Sequence, residues 1–244
     1  MNGQSQIVRS ALVLISLALP AWADGKLGTA TIKGKITVPA TQPAVRPIDM
    51  AATDFCKTAN AKPITPQGMR IFSDGSLPYA FVFLKTGVEG KYDPPKEPLK
   101  LEQKGCMYTP HVAGLVCGQD VMVVNSDNTN HNIHAVPSRN TEFNFTQTKP
   151  GQQLLTAAQK FKAPEVMVRV KCDVHPWMSA YVGVLPHPFF SVTQQGGAYE
   201  IKNVPAGKYT LAVWHEEWSK SPTEIEIEIK DGETLVKDIE LAKK

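Results

Sequence analysis

Val166-Met167-Val168-Arg169-Val170-Lys171-Cys172-Asp173-Val174-His175-Pro176-Trp177-Met178 decides how the chain is read. Val166, Val168 and Val170 alternate with Met167, Arg169 and Lys171, the period-two pattern of a half-buried strand. The alternation stops at Cys172. A thiol, an imidazole and a thioether follow at C-x2-H-x2-M spacing, which puts them on no common helix face or strand face. They converge only if the chain loops around a point, and a metal ion is a physical reason for such a loop.

Outward from this stretch the same alternation recurs. Ala30, Ile32, Ile36 and Val38 alternate with Thr31, Lys33, Lys35 and Thr37. Tyr209, Leu211 and Val213 alternate with Thr210, Ala212 and Trp214, and Ile225, Ile227 and Ile229 with Glu224, Glu226 and Glu228. Tyr79 to Leu84 and Val121 to Val124 are continuous apolar runs, as in strands buried on both faces. Turn signals such as Gly196-Gly197, Pro205-Ala206-Gly207 and Asp231-Gly232 lie between. Only Met50 to Ala61 and Gln153 to Phe161 read as helical, and both are short and poorly amphipathic. The fold class is all-β and sandwich-like.

The first residues read as an address. Arg9 precedes an apolar run from Ala11 to Leu19, Pro20 breaks it, and Ala21-Trp22-Ala23 offers a small-x-small cleavage site. That is the pattern of a secretory signal peptide over residues 1–23, with cleavage near Ala23-Asp24 and a periplasmic or secreted product. The run is too short for a stable membrane-spanning helix, so no membrane insertion is expected. A twin-Arg pair and a lipidation cysteine are both missing. Without residues 1–23 the 26 basic residues become 25 against 23 acidic ones, a net charge of +2. So balanced a surface argues against nucleic-acid binding. The charged stretch Lys96 to Lys104 reads as a solvated loop.

Three blocks follow the leader. Residues 24–75 hold one strand and a Pro-rich connection. Residues 76–186 hold the buried strands and most of the chemistry. Residues 190–244 read as a compact β meander.

The ligand types choose the metal. Thiolate and thioether are soft, and two imidazoles with one thiolate and a weak axial Met form the blue-copper set. Asn130-His131-Asn132-Ile133-His134 offers the second imidazole, from either His131 or His134. Cys172 read alone is a buried structural thiol or half a disulfide, and Met178 read alone is core filling. Their joint spacing behind an upstream His pair favours ligation. No Ser/His/Asp or paired-carboxylate arrangement calls for an enzyme. His111, His187 and His215 read as ordinary sheet or turn histidines, with a second metal site at His215 and Glu216 or Glu217 as the sharper alternative. Four cysteines permit at most two disulfides, and connectivity is not fixed by sequence. With Cys172 on a metal, Cys56–Cys106 is the favoured bridge and Cys106–Cys117 its competitor. The thiol left over is expected to be buried.

Cys172-Asp173-Val174-His175-Pro176-Trp177-Met178 with His131-Asn132-Ile133-His134 resembles the copper-binding elements of small cupredoxins, above all the amicyanins. The resemblance covers residues 76–186. It implies a Greek-key β sandwich with one type 1 copper on His131, Cys172, His175 and Met178. It also implies that Asn132 ties the two ligand segments together and that the His175 ring edge is the route for electrons. The function implied is one-electron transfer with a redox protein partner such as a cytochrome or a dehydrogenase. A binding module without a redox role, or a periplasmic copper storage or delivery protein, is the alternative. A binuclear copper centre would need a second Cys in the loop, and multicopper oxidases need repeated His-x-His pairs; this chain has neither. The flanks, Gly28 to Val38 and Gly197 to Leu211, are similar to the strands of a smaller transthyretin-like (carboxypeptidase-regulatory-like) β sandwich. In that case the N-terminal strand pairs with the C-terminal meander and the copper domain is an insert.

Overall fold

The computed structural model describes residues 24–39, 44–156 and 161–242. The leader reading over residues 1–23 lies outside them. Among the described residues no helix is long and apolar enough to cross a membrane.

Alternating apolar residues build four β sheets. The first is β13 (Ala198–Val204), β1 (Ala30–Thr37) and β16 (Thr234–Val236), with β17 (Ile239–Glu240) also on β1. The second is β12 (Phe190–Val192), β2 (Phe81–Thr86), β14 (Gly207–His215) and β15 (Ser219–Ile229). The third is β5 (Val112–Val116), β11 (Ser179–Leu185), β10 (Glu165–Lys171), β7 (His131–Val136) and β8 (Phe143–Gln147). The fourth is β4 (Met107–Thr109), β3 (Leu99–Lys104), β6 (Val121–Asn125) and β9 (Gln153–Thr156). One short helix, α1 (Asp54–Ala59), and a 3-10 turn at Gln67–Met69 complete the described elements.

The sheets stack in that order, and each interface has its own core. Ile32 and Ile36 of β1 meet Val82 and Leu84 of β2 and Leu211 and Val213 of β14. Val121 and Val123 of β6 meet Val168 and Val170 of β10 and Ala180, Val182 and Val184 of β11. Between these two sandwiches lie Phe81 and Phe83 of β2, Ala212 and Trp214 of β14, and Val112 of β5, with Met167 and Tyr181 packed against them. Strand alternation explains the sharing: Val82 and Leu84 face one core, while Phe81 and Phe83 face the other. Burying one such side chain contributes roughly 1.5–3 kcal/mol.

β1 pairs antiparallel with β13 and parallel with β16 and β17, so the first strand shares a sheet with the last block, as the transthyretin-like resemblance implies. The pairings differ from the sequence blocks at β2. β2, inside the 76–186 block, pairs with β12 and β14. Its two apolar faces suit a middle layer, and that draws it out of the sandwich formed by the third and fourth sheets. Gln153–Thr156 is a strand rather than helix, because it pairs with the buried β6. Residues 157–160 of that stretch lie outside the described residues. Likewise Leu99–Lys104 is strand β3, with Leu101 buried in the core, not a solvated loop.

Two glycines make the middle interface possible. A Cβ on Gly183 would stand 2.5 Å from the Phe81 ring, and one on Gly114 would stand 2.3 Å from the Phe190 ring. Phe81 is fully buried and has nowhere to retreat. Gly183→Ala is therefore expected to lower the unfolding free energy by about 1–3 kcal/mol in a denaturant titration, the usual cost of overpacking. An unchanged midpoint would mean that the two sandwiches are not pressed together at this point.

Candidate metal centre

The centre forms where two neighbouring strands end. β7 and β10 are antiparallel neighbours, with Val170 opposite Ala135 and Lys171 opposite His134. His131 at the start of β7 and Cys172 just past the end of β10 therefore come to one end of the third sheet. Pro176 and the turn residues cannot extend the strand. The loop instead closes on itself, with Met178 N–H donating to His175 O at 2.9 Å and Cys172 N–H to Met178 O at 3.1 Å.

The side chains of His131, Cys172 and His175 converge in a buried pocket. His131, His175 and Met178 are fully buried and Cys172 is 2 % exposed. The two imidazoles face each other through Nδ1 atoms 3.0 Å apart, and Cys172 Sγ is 3.7 Å from His175 Nδ1. Ligand atoms of His131, Cys172 and His175 all lie within 4.8 Å of one another. His134 is not part of this group. Its ring points the other way, with Nδ1 2.9 Å from Asp173 and Nε2 2.8 Å from Glu142.

Asn132 links the two segments. Its side-chain oxygen accepts from Asp173 N–H at 2.7 Å and from the Cys172 thiol at 3.3 Å. Its amide donates to Asp173 at 3.0 Å and to Asn144 at 2.7 Å. Tyr108, unremarked in the sequence, donates its hydroxyl proton to Asn132 O at 2.6 Å from beneath.

Asp127 is the residue that sequence reading missed. The run Ser126 to Asn130 looks like plain loop, yet Asp127 is 3 % exposed. Its carboxylate accepts from Gly105 N–H at 2.7 Å and Cys106 N–H at 2.8 Å, and lies 2.9 Å from His131 Nε2. A carboxylate on Nε2 holds that proton there and leaves the Nδ1 lone pair facing the centre. The available signal was an acid four residues before a candidate ligand His.

Charge in the pocket follows from these contacts. Burial pushes the Cys172 thiol up, but hydrogen bonds from His131 and His175 and from the Asn132 and His175 backbone outweigh it and bring it to about 6. A thiolate is therefore accessible at neutral pH, as metal binding requires. Burial opposes the His131 cation, while Asp127 and Cys172 favour it more and raise its pKa. Two imidazoles and a thiolate are a donor set that suits a soft metal ion, and Met178 is buried in the core that adjoins them.

The cysteines and other histidines are also placed. Cys56 and Cys106 form a disulfide with Cα atoms 5.6 Å apart, and Cys117 is free and partly exposed rather than buried. The ring edge of His175 does not reach solvent. Partly exposed Trp177 packs on it at 5.2 Å between ring centres and donates its indole N–H to Cys106 O at 3.0 Å. His111 pairs with Glu216 at the middle interface. His187 stacks on Phe189, and burial brings it down to about 4. Among the described residues neither these two nor His215 joins a metal-sized cluster.

No curated protein matches the sequence. Residues 190–243 match the model of a family described as BOS complex subunit NOMO1-like, second beta sandwich domain. Among solved structures, the chain is similar to a copper-containing nitrite reductase from Thermus scotoductus SA-01, at 18% identity and a TM-score of 0.32 over 42% of this chain and 25% of that one. A purple cupredoxin from Nitrosopumilus maritimus aligns at 20% identity and a TM-score of 0.30, over 35% of this chain and 98% of its own. A reduced amicyanin mutant aligns at 18% identity and a TM-score of 0.31, over 42% and 97%. The chain thus spans a quarter of the nitrite reductase.

Asp127 gives a direct test of the centre's scaffold. Its folded pKa is lowered, because hydrogen bonds from His131, Cys106 and Gly105 outweigh the opposing burial. Such a group stabilises the fold fully above the unfolded carboxyl value of about 4 and loses that effect as pH falls below it. Asp127→Ala in the metal-free protein is expected to cost about 1–3 kcal/mol at pH 7. The gap from wild type should close in acid, as followed by thermal melts across pH.

Proposed function

We propose that the chain is an exported type 1 copper protein that carries single electrons between redox partners. The observation that carries the reading is the meeting of two buried imidazole Nδ1 atoms at 3.0 Å beside a thiol 3.7 Å from one of them. Bound there, copper would supply a one-electron couple, with His131, Cys172 and His175 as strong ligands and Met178 as the weak axial one. The chain's own part is to hold that set in one geometry. Asp127 fixes His131, Asn132 locks the Cys172 segment, and backbone bonds close the loop on Met178. Rigidity of this kind keeps reorganisation on oxidation small. The partner would be another one-electron protein, a cytochrome or a dehydrogenase, met outside the cytoplasm. No substrate chemistry is assigned to the chain.

A visible and EPR spectrum of the mature protein with one equivalent of Cu(II), beside Cys172→Ala, tests this. The expected result is an intense thiolate-to-copper band and narrow hyperfine splitting, both lost in the variant. A colourless protein, or ordinary surface-type Cu(II), overturns it and leaves a binding module. Met178→Leu is expected to keep the colour and raise the reduction potential, since the axial bond is weak; voltammetry reads the shift. A variant that no longer takes up copper would mean that Met178 is an essential ligand.

A further inference from the structure

The Cys56–Cys106 disulfide lies against the metal centre. Both sulfurs and a ring nitrogen of His175 are within 4.8 Å of one another, and all three residues are fully buried. His175 Nδ1 is engaged by His131 and Cys172. Its Nε2 is buried with no hydrogen-bond partner. An orphaned buried polar atom of this kind costs about 1–3 kcal/mol. A ligand would remove that cost. Bonded sulfurs are poor metal donors, whereas two thiols beside an imidazole are a soft donor set.

We infer that reduction of the Cys56–Cys106 disulfide opens a second site for one Cu(I) ion, held by the two sulfurs and His175. A dithiol supplies the two electrons and two protons and leaves as its own disulfide, and two thiols remain. Binding Cu(I) then releases to solvent one proton for each thiol that becomes a thiolate. Both cysteines are anchored independently of their bond. Asn60 at the end of α1 donates to Cys56 O at 2.9 Å and to Gly105 O at 2.8 Å. Cys106 sits in a turn with Gly105, at φ 55° and 60°, whose amides are held by Asp127. The donors therefore stay gathered when the bond opens. Because His175 belongs to both groupings, an ion taken here stands one imidazole from the first site.

The test uses the mature chain carrying Cys172→Ser and Cys117→Ser, which removes the first site's thiolate and the other free thiol. It is reduced with dithiothreitol, freed of reductant without oxygen, and titrated with Cu(I) against bathocuproine disulfonate. The oxidised form is expected to retain no Cu(I) and the reduced form one equivalent. Adding His175→Ala should weaken retention at least tenfold, and X-ray absorption should report two sulfurs and one imidazole nitrogen. A reduced chain that retains none overturns the inference. An affinity indifferent to His175→Ala, the mark of a bare dithiol, overturns it too, as does collapse of the near-UV dichroism on reduction. Since Cys172 is absent throughout, these outcomes are independent of the blue-copper spectrum.

Discussion

Two imidazole nitrogens held 3.0 Å apart in a pocket closed to solvent are a constraint that the surrounding residues must answer. Lone pair against lone pair at that distance is repulsive, so a cation or a shared proton must lie between them. Asp127 decides which. By accepting a hydrogen bond from the Nε2–H of His131, it keeps the proton on that nitrogen and directs the Nδ1 lone pair inward. His175 then either donates from Nδ1 or presents a lone pair of its own, and a metal suits the second arrangement together with the thiolate. The carboxylate is thus as much a part of the centre as the imidazole it holds.

Asp127 also explains why the centre and the disulfide belong together. It accepts from the Gly105–Cys106 turn and from His131 with one carboxylate, so the bridge and the imidazole share a foundation. Trp177 adds a second tie, packing on His175 while bonding to the Cys106 carbonyl. A ligand loop of seven residues carries little intrinsic order. Here the order is imposed from the fourth sheet, through the β3–β4 turn, and from β7 through Asn132.

The strands were legible because alternation survives in each of them, and β1, β10, β14 and β15 appear close to where the sequence places them. The ligand candidates were legible because C-x2-H-x2-M is chemistry without a secondary-structure excuse. Two kinds of information were not. Sheet membership depends on which apolar face meets which partner, and the run Tyr79 to Leu84 says only that β2 is buried on both sides. Its transfer to the sheet of β14 needs three dimensions. Hydrogen-bond partners such as Asp127 and Tyr108 are single polar residues whose role comes from the turn that delivers them. An Asp in a loop rich in Ser and Asn carries no periodic signal.

The four-layer stack bears on how the centre meets its surroundings. The third sheet is covered on one side by the fourth and on the other, along β5, β10 and β11, by the Phe81 and Trp214 layer. His175 itself reaches no solvent. What the ligand loop does present is Val174, 53% exposed, and the partly exposed Trp177. Asp173 and Pro176 are exposed beside them, so the loop shows a mixed surface to solvent while its imidazole stays beneath the indole. The second sandwich blocks one face of the third sheet and leaves that end free. It covers that face without packing on His131, Cys172 or His175.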